Sequence, residues 1–331
     1  MLTAFVYNKR ELKEIKITEI KKFLERRSSY IWVDARNLSG EESKFLKETF
    51  NIHPTTIEDI TTHHTRIKYE EFEEYTFIIF KSIKEIKEND IETINISIVL
   101  GENFIITINE NPIEMIEELA KSPKRIENIL KRGADYMVHH ILDKEVDKYL
   151  KIKSELGEDL KKIEREFAQN QNKENLSKIF SKELLIIELR QLSESMDDLC
   201  LNLTKPADNY IHNDLIPYFR DIYDHIFKTT EGYRTMLKRM NGMRNMYASF
   251  TQIKTNEIMK VLTILMAIMM PLTVITGFYG MNVNLPFQDN SDIYLFIFGL
   301  MIFSGIFLVW ILMRKGWISK GEKIIHNENN S

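Results

Sequence analysis

The side chains with the most chemistry to offer fall on one line. Steps of alternately four and three residues from Asn245 reach Ser249, Gln252, Asn256, Met259, Thr263, Met266, Met270, Thr273 and Gly277. A repeat of about 3.5 residues marks a helix face held against partner helices. Such a seam should be apolar, yet this one holds no Leu, Ile, Val or Phe. Those residues sit between its positions, at Leu262, Ile264, Leu265, Ile268, Leu272, Val274 and Ile275. The stripe offers amide and hydroxyl oxygens, small residues and thioethers. It has no acid, base or nucleophile, and what it suits is a water-filled path, with soft constrictions at Met259, Met266 and Met270. Polar groups in a membrane span face a bundle interior or a cavity. Small residues and methionines also suit close helix packing, and the stripe alone leaves both readings open.

The stripe must be carried by a membrane helix. Residues 261–278 and 293–313 are uncharged apolar runs, each long enough to cross a hydrocarbon core of about 30 Å. Residues 280–292 between them are too few for a domain, so the spans form a hairpin with Gly280-Met281-Asn282 at the tip of the first. The turn carries Asp289 and Asp292 and no Lys or Arg. The outer flanks carry Arg239, Arg244, Lys254 and Lys260, then Arg314, Lys315, Lys320 and Lys323. Basic flanks stay inside, which places both termini in the cytoplasm of a multi-pass cell-membrane protein. Tyr279 and Tyr294 then lie at the outer interface, with Trp310 and Trp317 near the inner one. Pro271 is a candidate kink.

Elsewhere the composition excludes more than it suggests. A net charge of −4 over 331 residues gives no basic bias toward nucleic acid. A single cysteine, Cys200, rules out an intrachain disulfide framework. Residues 1–19 are broken by charges and hold no signal-peptide core. His63 and His64 stand beside Glu58 and Asp59, but they match no standard zinc spacing and read as exposed loop residues. There is no Gly-rich phosphate loop and no nucleophile elbow.

Residues up to about 110 read as mixed α/β. The strands are expected at 2–7, 30–34, 75–83, 93–100 and 104–109, the last two joined by a Gly101-Glu102-Asn103 turn. Short helices are expected at 41–50, capped by Ser39, and at 55–61. Beyond Asn111 helix dominates, with Pro112 suited to a first turn. A long helix over 134–167 carries the apolar stripe Ile141, Leu142, Val146, Leu150, Ile152, Leu156, Leu160 and Ile163. A polar turn at 168–175 leads to an antiparallel return over 176–203, and Pro206 marks a break at 205–208. A last helix starts near Leu215-Ile216-Pro217 and meets no strong breaker before Pro271.

The string Tyr279-Gly280-Met281-Asn282, followed by a second span and Lys315-Gly316-Trp317, resembles the CorA-type magnesium channel family. Similar to the same family are Thr255-Asn256-Glu257-Ile258-Met259-Lys260-Val261-Leu262-Thr263 and Met270-Pro271-Leu272-Thr273. So are Trp32-Val33-Asp34, Phe50-Asn51-Ile52-His53-Pro54, Ile57-Glu58-Asp59-Ile60 and Tyr218-Phe219-Arg220-Asp221-Ile222-Tyr223-Asp224-His225. The resemblance implies a funnel: an α+β cytoplasmic domain with a mixed sheet and helices, then long helices, then a two-helix C-terminal transmembrane hairpin. The matching boundaries are 1–132 for the α/β domain, 133–257 for the stalk, 258–278 and 293–313 for the spans, 279–292 outside, and 314–331 as a basic cytoplasmic tail. It further implies a homo-oligomer in the lipid bilayer, a homopentamer by family, that is not an enzyme. Such a channel imports Mg²⁺, with Co²⁺ and Ni²⁺ also accepted.

By the same resemblance Gly280, Met281 and Asn282 form the selectivity filter, with Gly280 letting the backbone turn sharply. Mg²⁺ dehydrates reluctantly, and a ring of Asn oxygens would hold it with its water. Asn256 and Thr273 become polar rings, and Met259, Leu262 and Met270 a hydrophobic gate that stops ions by dewetting. Asp59 faces Asp221 of an adjacent subunit across a regulatory Mg²⁺, with Glu58, Asp143 and His225 at a nearby metal site. Two features depart from the family: Asn245 stands where an Asp is usual, and Leu285-Pro286-Phe287-Gln288 replaces a dense acidic loop. A Zn²⁺ transporter of the same superfamily shares the Gly-Met-Asn string. A metal-dependent enzyme merely anchored by the hairpin predicts activity in residues 1–245. A metal sensor without transport predicts tolerance of changes at Gly280 and Asn282. The polar stripe argues against both of these, because an anchor has no need of it.

Overall fold

The computed structural model describes residues 1–8, 10–26, 28–62, 65–87, 90–171, 173–205, 210–282 and 293–317. His63, His64, Pro206 and the residues of the expected outer turn from 283 to 292 lie outside these, as does the tail beyond Trp317. The chain divides into two compact units, residues 1–244 and 245–331.

The Ile- and Val-rich runs of the first unit build a seven-stranded sheet. Its strands are β1 (Leu2–Tyr7), β2 (Leu12–Ile15), β3 (Tyr30–Arg36), β4 (Lys68–Glu71), β5 (Thr76–Lys87), β6 (Asp90–Leu100) and β7 (Phe104–Asn109). Their order is β2-β1-β3-β7-β6-β5-β4. β3 and β7 run parallel and all other neighbours antiparallel, so the sheet is mixed as expected. The Gly101-Glu102-Asn103 turn joins β6 to β7, with Leu100 opposite Ile105. β2 and β4 were not legible in the sequence. Both are short, polar edge strands, and their pairing comes from β1 and β5 rather than from a buried apolar pattern.

Alternation along β3 feeds both faces of the sheet. Ile31, Val33 and Ala35 join a core with Phe77, Ile79, Ile106 and Ile108. Over this core lie α1 (Ile20–Leu24), α2 (Gly40–Phe50) and α3 (Pro54–Thr61), through Ile20, Leu46, Phe50 and Ile60. Ser39 caps α2 as expected: its Oγ accepts from Glu42 N at 3.2 Å, and Glu42 Oε2 accepts from Ser39 N at 3.0 Å. On the other face Trp32 stacks on Phe5 at 5.3 Å and donates through Nε1 to Thr107 Oγ1 at 3.0 Å.

That other face receives helices. They are α4 (Glu114–Ala120), α5 (Pro123–Leu130), α6 (Ala134–Gln169) and α7 (Lys173–Leu203). Tyr149 of α6 donates to the Lys81 carbonyl of β5 at 2.8 Å. Pro112 is not in a helix: α4 starts at Glu114 behind a buried, extended Ile113 cap. Along α6, Ile141, Leu142, Val146, Leu156 and Leu160 are buried, whereas Leu150, Ile152 and Ile163 are half-buried. Tyr149 takes the buried place beside Leu150. The turn from α6 to α7 is tighter than its polar sequence suggests. Asn175 Nδ2, from the first turns of α7, donates to the Asn170 carbonyl at 2.8 Å.

α8 (Ile216–Tyr279) is a single helix of 64 residues that continues through Pro271. Its root is tied to α6 by a buried acid. Asp135 Oδ2 accepts from His212 N at 2.9 Å and pairs with His212 Nδ1 at 2.7 Å. Gly133, at φ +128°, leads into this site, where a Cβ would overlap the Asp135 carboxylate. The hydrogen bond to Asp135 raises the His212 pKa above its ordinary value. The stabilisation is therefore complete below the unfolded histidine's pKa of about 6.5 and fades as pH rises through the folded value. In thermal unfolding of the full chain, we expect the midpoint to fall over this window, and His212→Gln to remove that step.

Candidate ion pathway and metal-binding residues

The second unit is built from two helices long and apolar enough to cross a membrane, the end of α8 and α9 (Ile293–Arg314). The most apolar window of each is almost wholly unburied, unlike the core helix of a soluble domain. The helices meet along one line. Ile268 and Leu272 of α8 share a recess of about 480 Å³ with Phe298, Met301, Gly305 and Val309 of α9. Thr276 and Tyr279 share another of about 350 Å³ with Tyr294 and Ile297.

The polar stripe lies on the other side of α8. At about 100° per residue, Met259, Met266, Met270 and Gly277 fall roughly opposite Ile268. Accordingly, Met259 and Met266 are 54% exposed and Met270 72%, while Ile264, Ile268, Leu272 and Ile275 are half-buried. Asn245, Ser249, Gln252, Asn256 and Thr273 are likewise exposed, and Thr263 is half-buried. Leu262, at 45% exposure, flanks the stripe. One hairpin leaves this whole face bare.

The hydrogen bonds of the stripe set what its hydroxyls present outward. Thr263 Oγ1 donates to the Met259 carbonyl at 2.7 Å, and Thr273 Oγ1 to the Met269 carbonyl at 2.9 Å. Each hydroxyl proton is thus spent on the helix's own backbone. What each hydroxyl presents outward is oxygen lone pairs, which accept from the water shell of a cation. Gln252 Nε2 donates to Asn256 Oδ1 at 3.0 Å, which fixes both amides.

At the tip, Gly280 N donates to the Thr276 carbonyl at 2.9 Å and Met281 N to the Phe278 carbonyl at 3.4 Å, ending the helix. Gly280 does not adopt the left-handed conformation that a sharp glycine turn requires. Its constraint is space: a Cβ would stand 3.0 Å from the Thr276 carbonyl oxygen. Met281 and Asn282 follow it and are exposed.

The candidate acids sit on three helices. Asp59 and Glu58 are on α3, Asp143 on α6, and Asp221 and His225 on α8. Asp221 is 68% exposed and its Oδ1 lies 3.9 Å from His225 Nε2. Among the described residues, no three His, Cys, Asp or Glu side chains converge to hold a metal, so the set is not preassembled in one chain. Two neighbours of these acids were missed in the sequence. Lys68 of β4 hydrogen-bonds Asp59 Oδ2 and, at 3.0 Å, Glu70 Oε1, so Asp59 already has a cation. His139 of α6 lies within the fields of both Asp143 and Asp221, while burial pulls its pKa below the ordinary value. The His139-His140 pair just ahead of Asp143 was the available hint. Lys68 depends on strand pairing and had none.

A mixed α/β domain followed by long helices, two of them of membrane length and one with a bare polar face, defines a membrane protein. Residues 27–315 match the model of the CorA-like Mg²⁺ transporter protein family, and the chain belongs to that family. It is 28% identical over 321 residues to the cobalt/magnesium transport protein CorA of Thermotoga maritima, covering 94% of this chain and 91% of that protein. It is 27% identical to the cobalt/magnesium transport protein CorA of Methanocaldococcus jannaschii, covering 87% and 91%. The complete structure of a CorA magnesium transporter from M. jannaschii superposes with a TM-score of 0.77 at 24% identity, over 96% of this chain and 99% of that one. The fold expected from the sequence is thereby confirmed.

Proposed function

We propose that the chain is one subunit of a homo-oligomeric, pentameric channel that admits Mg²⁺, and also Co²⁺ and Ni²⁺, to the cell. The observation that carries this reading is the bare stripe from Asn245 to Gly277, on the face of α8 turned away from α9. Copies related by rotation enclose it as a water-filled path, and its hydroxyl and amide oxygens then face hydrated ions. Both relatives named above are called cobalt/magnesium transport proteins, which supports these cargo ions over Zn²⁺. The spans are 258–278 and 293–313, and the basic flanks hold both termini inside. Gly280, Met281 and Asn282 form the entrance, and Met259, Leu262 and Met270 the gate.

Regulation follows from where the acids sit. Asp221 is on the same uninterrupted helix as the stripe. Asp59 of one subunit facing Asp221 of the next repels it, and a divalent cation turns that repulsion into a bridge. Glu58, Asp143 and His225 extend the site. High internal Mg²⁺ locks the subunits together and low internal Mg²⁺ frees them to open. The test is Mg²⁺ uptake into liposomes holding the purified chain, with free Mg²⁺ clamped on each side. We expect uptake that Mg²⁺ on the cytoplasmic face suppresses. Folded, oligomeric protein that passes no Mg²⁺ at any internal concentration would refute the channel.

A further inference from the structure

Residues 1–244 hold a recess of about 530 Å³ lined by α4, α5 and α6. Its cationic lining is Arg125, Arg132, His140 and Lys144, against the single acid Glu118. In a chain with 49 acidic and 45 basic residues, such cations normally find carboxylates. Here Arg125 and Arg132 form no ion pair among the described residues, and Lys144 reaches only Asp147, at 3.4 Å. Arg132 is held by aromatic faces, its guanidinium 3.7 Å from the Tyr136 ring centre and 5.3 Å from that of Tyr218. The positive field is felt inside: burial first, then Lys144 and Arg125, hold the His140 pKa below its ordinary value against the pull of Asp143. One wall is apolar, formed by Met115 and Leu119.

We propose that this recess binds a soluble nucleoside di- or triphosphate, with its phosphates on Arg125, Arg132 and Lys144 and its base against Met115 and Leu119. Guanidinium forks match phosphate oxygens two at a time, and the volume lies within the range of about 300–1,000 Å³ usual for small-molecule sites. Two packed side chains, Tyr218 and His139, separate the recess from the candidate metal residues. Tyr218, beneath Arg132, packs edge-on against His139 at 5.4 Å, and His139 lies in the fields of Asp143 and Asp221. An anion here would therefore be sensed beside those acids. The binding itself does not depend on the channel reading.

The test is equilibrium binding of ATP to the full-length oligomer in detergent, without Mg²⁺ and then at fixed free Mg²⁺. Pyrophosphate and adenosine serve as competitors. The variant is the double substitution Arg125→Ala with Lys144→Ala, both exposed side chains, with its fold checked by the ligand-free melting temperature. We expect saturable binding in the sub-millimolar range, displaced by pyrophosphate, and weakened roughly tenfold or more in the variant, as loss of charge-assisted hydrogen bonds implies. Adenosine should compete only weakly. No saturable binding at millimolar ATP, equal affinity in the double variant, or binding confined to dissociated subunits would each overturn the assignment. The last would mean that a neighbouring copy covers the recess.

Discussion

Mg²⁺ flux through liposomes carrying Asn282→Ala should fall roughly a thousandfold, with the oligomer intact. The argument is one of counting. Mg²⁺ sheds water reluctantly, so an entrance that passes it must accept hydrogen bonds from its water shell. Asn282 is exposed just beyond the end of α8, and its amide oxygen is such an acceptor. Each neutral hydrogen bond is worth about 1 kcal/mol net. In the proposed pentamer a ring of five such bonds, lost together by one substitution, would amount to about 5 kcal/mol, or more than three decades of rate. Leu265→Ala is the control, because Leu265 lies off the stripe and is exposed at 57%. Its flux should stay near that of the unaltered protein. An Asn282→Ala protein that conducts normally would remove Asn282 from the filter.

The second large effect is on regulation. Lys68→Met should lower the internal Mg²⁺ needed for half-inhibition by roughly tenfold. Lys68 is only 16% exposed, and its ammonium bonds both Asp59 and Glu70. Burial alone would lower its pKa, and those two bonds outweigh it and raise the value. A divalent cation arriving at Asp59 must displace this tethered charge. A charge-assisted hydrogen bond contributes about 1.5–3 kcal/mol, so its removal should tighten Mg²⁺ binding by at least a decade. Asp59→Asn should act in the opposite sense and weaken inhibition. If Asp59→Asn leaves the Mg²⁺ response unchanged, the regulatory site is elsewhere. If Asp59→Asn alters the response and Lys68→Met does not, the acid is right and the competition is wrong.

Much of this was legible because it is written in periodicity. β1 and β7 were placed to the residue by their apolar runs, α2 to within one residue by its Ser39 cap, and α9 to within one residue by an uncharged stretch of membrane length. The polar stripe was legible for the same reason, since a repeat of about 3.5 residues needs no tertiary knowledge. The misreadings have the opposite cause. β2 and β4 are charged edge strands that exist because a neighbour offers them hydrogen bonds. Pro112 fits a helix start in isolation, but Ile113 is drawn into the core as an extended cap.

The division between the two sources is physical. By itself the sequence determined the strand and helix runs, the two membrane-length helices, the Gly280-Met281-Asn282 string between them and the existence of a polar helix face, because each depends on local spacing and composition. Only the tertiary structure decided that this face turns away from α9, that Lys68 already occupies Asp59, that His212 pins α8 to Asp135, and that Arg125, Arg132 and Lys144 share a recess. Those are contacts between residues distant in the chain. They are settled by which surfaces pack and which charges are left without a partner.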